Sequence, residues 1–445
     1  MTDESRELRS SYLTRPDFGE PRAVERSLTA RARGLIGSEI LKIASEIRAL
    51  VRSGSTVCNL TVGDFDARHF PIPDPLLEGI PRALRAGETN YPPSDGVREL
   101  REAVCEFVAD RWGVSYPVES VLIASGARPI LYAAYACVVS RGDKVVYPVP
   151  SWNNNHYCWM TAAEGVPVPT RAEDGFMPTL EQLEPHLADA RMVCLNSPLN
   201  PAGTVIGEEP LRRILNVIVE ENRRREREDR PGLFLLHDQV YSTLVFDSAR
   251  HFLPASLVPE SAPWVITLDG ISKGFAATGL RVGWVLAAPT VVSCMRNLLG
   301  HVGAWAPRPE QVAVAAFLRD TAAVAAFEKE MNRRVSRRLE LLYDGIAGMK
   351  RDGYPVDCIS PQGAIYLSLR LDLVGRSVGG VGLDGNEAIR KLLLDRAGVA
   401  VVPFQAFGLT DDTGWFRLSV GAVSEADIEG VFPRLRSLLD DVAGR

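Results

Sequence analysis

Short apolar runs recur along the chain from about Leu60: Val121–Ala124, Val145–Tyr147, Met192–Leu195, Leu233–Leu236, Val265–Leu268 and Val282–Ala287. Most are separated by longer stretches with apolar residues at helical spacing, such as Pro129–Val139 and Pro210–Arg225. Continuous apolar runs mark strands buried on both faces, and their alternation with helices marks crossover connections. The pattern predicts an α/β fold, with a mainly parallel central sheet covered by helices on both faces. Leu35–Val51 also has helical spacing, whereas the first forty or so residues are polar and weakly patterned, as expected of an arm that drapes over a partner or stays mobile. Beyond about Phe327 a long charged helix, Phe327–Gly345, leads into shorter elements. The expected division is an N-terminal arm and part of a small domain at 1–60, a large domain at 61–325 and a small C-terminal α/β domain at 326–445. The charge run Glu221–Arg230 reads as a solvated helix end before the Pro231-Gly232 break.

Composition narrows the class. The 445 residues are 46% hydrophobic and 24% charged, which excludes a disordered, collagenous or coiled-coil chain. A net charge of −6 leaves no basic footprint for nucleic acid or an anionic membrane. No uninterrupted apolar stretch approaches the ~18 residues of a membrane span. The charged N-terminus has no apolar core of a secretory signal. The seven cysteines are scattered and form no CxxC, so neither a disulfide framework nor a metal site is indicated. The expectation is a soluble, reduced, cytoplasmic enzyme.

Polar residues stand just after several of the apolar runs, where open parallel sheets bind ligands. Ser125-Gly126-Ala127-Arg128-Pro129 places small residues and a proline where a helix begins. Such a turn serves either plain chain reversal or, through its free N–H groups, an anion such as phosphate. Lys273, in Asp269-Gly270-Ile271-Ser272-Lys273-Gly274, is either a solvated lysine or a buried amine available for Schiff-base chemistry. Asp238 and Tyr241 suit equally a helix N-cap with a packing tyrosine, or a charge opposite a pyridine nitrogen with a hydroxyl near a ring oxygen.

Together these segments resemble class I/II aminotransferases, fold-type-I pyridoxal phosphate (PLP) enzymes of the aspartate aminotransferase kind. Ser272-Lys273 within DGISKGFAATGLRVGWV resembles N-G-x-S-K-x-x-x-x-T-G-x-R-x-G. Asn196 to Gly203 (NSPLNPAG) resembles N-x-P-x-N-P-T-G, and Asp238-Gln239-Val240-Tyr241 resembles D-E-x-Y. Tyr91 to Gly96, followed by Arg98 to Ala103, resembles x-Y-x-x-x-x-G…L-R-x-A, and Phe416-Arg417-Leu418-Ser419 resembles the C-terminal R-[IL]-S.

The resemblance implies transamination between an α-amino acid and a 2-oxo acid by a ping-pong mechanism, in a homodimer with shared active sites. It makes Lys273 the Schiff-base lysine and proton shuttle, and Asp238 the partner of the pyridine nitrogen. It places Tyr241 and Asn200 at the ring oxygen, and Trp152 as the ring that stacks on the cofactor. Gly126, Ala127, Arg128, Ser272 and Arg281 would hold the phosphate, and Tyr91 would reach the phosphate of the neighbouring subunit. Arg417 would clamp the α-carboxylate, with Gly63 letting backbone approach the substrate.

Departures from the pattern are Asp269 for asparagine, Ala202 for threonine, Asn153-Asn154-Asn155-His156 after Trp152, and Phe404 in place of a glycine near the substrate entrance. Asn155 is a candidate for orienting Asp238, and His156 for surface packing. Arg128 is open between a distal substrate carboxylate, the phosphate and solvent. The same residues also serve elimination, γ-replacement, ring closure and decarboxylation. A PLP-fold regulator would need an appended DNA-binding domain, and the first sixty residues show no basic recognition helix.

Overall fold

The computed structural model describes residues 18, 21–35, 37, 39–52, 54, 56–378 and 380–443. The chain forms two units, Met1–Gly37 and Ser38–Arg445. In the first, the described residues form the short helices Pro21–Ser27 and Ala30–Gly34; the Thr29 hydroxyl caps the second by accepting the Ala32 amide at 3.2 Å.

The second unit is built on seven strands: β1 (Val121–Ala124), β2 (Lys144–Val149), β3 (Glu164–Pro169), β4 (Ala190–Asn196), β5 (Phe234–Asp238), β6 (Val265–Gly270) and β7 (Gly283–Leu286). They lie in the order β1-β7-β6-β5-β4-β2-β3, and only β7 runs against its neighbours. The six apolar runs are all strands of this sheet. The pattern missed β3, an edge strand that is mostly exposed and carries Pro167 and Pro169, so it has no apolar run to read. It also missed the reversal of β7. The segment after β6 folds into the single turns Ile271–Gly274 and Thr278–Leu280 instead of a full crossover helix, so the chain returns antiparallel.

A smaller antiparallel sheet follows: β8 (Val356–Cys358), β9 (Tyr366–Leu371), β10 (Val402–Pro403) and β11 (Trp415–Ser419), ordered β10-β11-β9-β8. Its core packs Leu367, Leu369, Phe416 and Leu418 on Val335, Leu339 and Leu342 of the helix Thr321–Arg351, and takes in Tyr241 and Leu244 from beyond β5. A second core joins Val193 and Leu235 of the large sheet to Phe404, Phe407 and Trp415. The two sheets therefore meet across shared cores, and the helix Thr321–Arg351 runs unbroken through the expected boundary at 325. Phe404 is part of this core, 1% exposed and packed on Phe176 and Trp415. The charge run behaves as a solvated helix end except at Asn222, buried against the Leu233 backbone, and Arg225, buried against the Leu187 carbonyl and Glu221.

Residues 58–64 connect the two sheets. Cys58-Asn59 pairs in parallel with Val399-Ala400, and the Ser419 amide and hydroxyl donate to the carbonyls of Leu60 and Val62 at 2.8 and 2.6 Å. These bonds carry Gly63 and Asp64 to the carboxyl ends of the central strands.

Candidate active site

A cavity of about 440 Å³ opens at the carboxyl ends of β1, β4, β5 and β6, roofed by Thr61–Asp64 and by Tyr366 and Arg417 of the smaller sheet. Lys273 lies one short turn beyond β6. Its Nζ donates to the Gly63 carbonyl at 2.6 Å. Burial lowers its pKa from 10.5 to about 8; the charge of Asp64 opposes the shift, and those of Arg417, Arg128 and Arg281 add to it.

Asp238 is the last residue of β5. Burial raises its pKa to about 7, against the Val240 amide, which donates to its Oδ1 at 3.2 Å; nearby Asp269 pushes further up and Lys273 down. Asn196, the last residue of β4, pins this edge: its Nδ2 donates to the Asp238 carbonyl at 3.0 Å and its Oδ1 accepts the Asn200 amide at 2.9 Å. Behind Asp238, Asp269 accepts from the Gln239 side chain at 3.0 Å, the Ser242 hydroxyl at 2.8 Å and the Gly270 amide at 2.7 Å. The departure from asparagine is thus a fully bonded buried carboxyl.

At the β1 end, Gly126 has φ +90°, and a Cβ there would collide with the Arg281 guanidinium. Arg281 is fixed by the carbonyls of Thr278 (2.7 Å) and Ser125 (2.9 Å). Ala127 and Arg128 open the helix Ala127–Val138, where first-turn amides have no intrahelical acceptor. Amides, dipole and guanidinium together make a cup for a dianion.

At the opposite wall Arg417 is fully buried. It donates to the Asn200 Oδ1 at 3.2 Å and the Thr61 carbonyl at 2.5 Å, and lies between the rings of Tyr366 (4.7 Å) and Phe407 (5.0 Å). Its Nε has no acceptor among the described residues, and no carboxylate among them pairs with it. A buried guanidinium held this way is costly unless an anion completes it.

The arrangement is shared with known proteins. Residues 55–435 match the family model described as aminotransferase class I and II. The chain belongs to this family. The aspartate aminotransferase of Rhizobium meliloti is 31% identical over 403 residues, covering 89% of this chain and 92% of that protein. A probable aspartate/prephenate aminotransferase of Aquifex aeolicus is 29% identical over 432 residues, covering 94% and 100%. Among solved structures, the Rhizobium meliloti aspartate aminotransferase superposes with a TM-score of 0.84 at 29% identity, covering 93% of this chain and 99% of that one. The Thermus thermophilus aspartate aminotransferase with maleate gives 0.82 at 26% identity, with the same coverage. The protein is a PLP-dependent aminotransferase of fold type I.

The residues fit the aminotransferase cofactor: an anion cup, a lysine of lowered pKa and a buried aspartate share one cavity, with Trp152, Asn200, Tyr241 and Ser272 on its walls. Tyr91, expected at the neighbouring subunit's phosphate, is 82% exposed, with its ring edge-on to Trp305 at 5.2 Å. Asn155 is exposed and does not orient Asp238; Asn154 is the inward residue, accepting from the Tyr135 hydroxyl at 2.9 Å and donating to Ser151 at 3.1 Å. Asn153 caps this helix in the left-handed conformation, and Asn154 is its first residue. Sequence reasoning missed Tyr366, Asp64 and Asn196. Asn196 stood in a quoted motif; Tyr366 follows no motif and is reached only through the smaller sheet.

Proposed function

We propose that this aminotransferase acts on dicarboxylic amino and 2-oxo acids, aspartate or glutamate among them, by a ping-pong cycle. The observation that carries this is the cavity's charge: Arg128, Arg281, Arg417 and Lys273 stand against Asp64 and Asp238 alone. The three arginines suit three anionic groups, one phosphate and two substrate carboxylates. The relatives named as aspartate or aspartate/prephenate aminotransferases support the same class. Arg128 lines the cavity, its guanidinium carbon 5.4 Å from the Trp152 ring centroid.

In this reading Gly126, Ala127, Arg281 and Ser272 hold the phosphate. Asp238 faces the ring nitrogen, Tyr241 and Asn200 face the ring oxygen, and Trp152 covers the ring. Arg417 clamps the α-carboxylate beside Gly63, and Arg128 takes the distal one. Pyridoxal phosphate, when bound, supplies an aldehyde carbon and a conjugated electron sink. Lys273 then moves the proton at the substrate Cα, as a neutral amine of lowered pKa can near neutral pH.

The test is a single-turnover assay in which amino acid alone, without acceptor, should release one equivalent of 2-oxo acid per site. Arg128→Met should slow this with glutamate and spare alanine. The loss of a charge-assisted bond, about 1.5–3 kcal/mol, corresponds to roughly ten- to hundredfold in kcat/KM. Equal losses with both substrates, together with weaker cofactor binding, would assign Arg128 to the phosphate instead.

The reading includes a cytoplasmic homodimer. Its supports are seven cysteines that are all free thiols, and the exposed Tyr91–Trp305 pair, which suits a neighbour's phosphate. Mixing Lys273→Ala chains with Tyr91→Ala chains should give activity above the sum of the parents. One hybrid site then has an intact Lys273 and a native Tyr91 from across the interface. Proven subunit exchange with no such gain would mean self-contained sites.

A further inference from the structure

We propose that Tyr366 is a positioning residue for the reaction, its hydroxyl donating to that of Tyr241 and so freeing the Tyr241 proton for the cofactor's ring oxygen. The inference rests on the assignment of Tyr241 to that oxygen. The two hydroxyl oxygens are 2.5 Å apart, with both residues fully buried. β9 and β11 bring this about: Ser368 pairs with Arg417 and Tyr366 with Ser419, so Tyr366 and Arg417 are diagonal neighbours on one face. Space for the hydroxyl exists because residue 63 is glycine; a Cβ there would sit 2.9 Å from the Tyr366 oxygen.

The direction of the bond follows from the surroundings. Burial pushes both phenols above their usual pKa, so both are protonated and two protons share one contact. One hydroxyl must donate, leaving the other's proton free. The charged groups facing the pair are Arg417, Asp64 and Asp238. The Arg417 guanidinium lies 4.7 Å from the centre of the Tyr366 ring. A cation against that ring makes its hydroxyl the better donor and the poorer acceptor. Tyr366 therefore donates, Tyr241 accepts, and the Tyr241 proton turns to the cavity it lines. A donor whose own oxygen accepts a hydrogen bond is strengthened by it.

The test is a pH titration of the visible absorbance of the bound cofactor in the holoenzyme. A hydrogen bond to the ring oxygen stabilises its negative charge and competes with the proton on the adjacent Schiff-base nitrogen. Weakening that bond raises the pKa of the nitrogen. Tyr366→Phe, which keeps the ring under Arg417, should shift the titration upward by roughly a few tenths of a unit, the cooperative share of one neutral hydrogen bond. Tyr241→Phe should shift it further, and the double variant no further than Tyr241→Phe alone. Tyr366→Met, which also removes the ring, should show the same shift with an added rise in KM. An unchanged titration in Tyr366→Phe, or full additivity with Tyr241→Phe, would overturn the relay. So would a KM rise in Tyr366→Phe without a spectral shift, which would make the hydroxyl a direct substrate contact. A wild-type protein with no titrating band would instead sink the assignment of the site itself.

Discussion

Lys273→Ala is expected to abolish the Schiff-base absorbance band of the cofactor and to reduce turnover by several orders of magnitude. Both the covalent attachment and the proton carrier at the substrate Cα are lost, and general acid–base catalysis alone contributes about 10²–10⁴-fold. The residual site should still accept cofactor non-covalently, because the cup of Gly126, Ala127 and Arg281 does not depend on the lysine. The lowered pKa of Lys273, about 8, adds a dependence on pH. Only the neutral amine attacks the aldehyde. The rate of cofactor capture by the cofactor-free protein should therefore rise with pH and level off above about 8, where an ordinary lysine would climb to about 10.4. Absorbance after stopped-flow mixing measures both effects. Substantial turnover by the alanine variant would remove Lys273 from its role.

Asp238→Asn carries the second largest expected effect. Without a cation opposite it, burial holds the Asp238 carboxyl up at about 7. A protonated pyridine nitrogen opposite it would reverse that preference and keep the carboxylate ionised at neutral pH. Asparagine keeps the shape and loses the charge. Cofactor binding should survive, while loss of the substrate Cα proton slows by roughly 10²–10³-fold, the scale of removing one electrostatic stabiliser. The deuterium isotope effect on the single-turnover rate should grow, since proton transfer becomes fully rate-limiting. An unchanged rate would mean that another residue holds the ring nitrogen. Asp269 makes the contrast sharper. It is the nearby buried carboxyl, and its three donors keep it occupied away from the cavity.

The sequence by itself determined most of the sheet and pointed to many of the residues that line the cavity. Strands buried on both faces leave continuous apolar runs, so six of the seven central strands were readable, and several of the residues behind them, Arg128, Asn196, Asn200, Asp238 and Lys273 among them, line the cavity. β3 was not, because an exposed edge strand needs no such run. Lys273, Asp238, Tyr241, Asn200, Arg281 and Arg417 were legible because each sits in a short motif of fixed spacing. What only the tertiary structure decided concerns pairs far apart in the chain. That Asn154 and not Asn155 turns inward is decided by its contacts with Tyr135 and Ser151, from outside the local motif. Phe404 became core because Phe176 and Trp415 closed around it. The 2.5 Å contact of Tyr241 and Tyr366 spans 125 residues, and it exists because the smaller sheet folds back over the larger one. Local spacing fixes which side chains share a strand or a turn; which of them touch across two sheets is set by packing, and no short pattern records that.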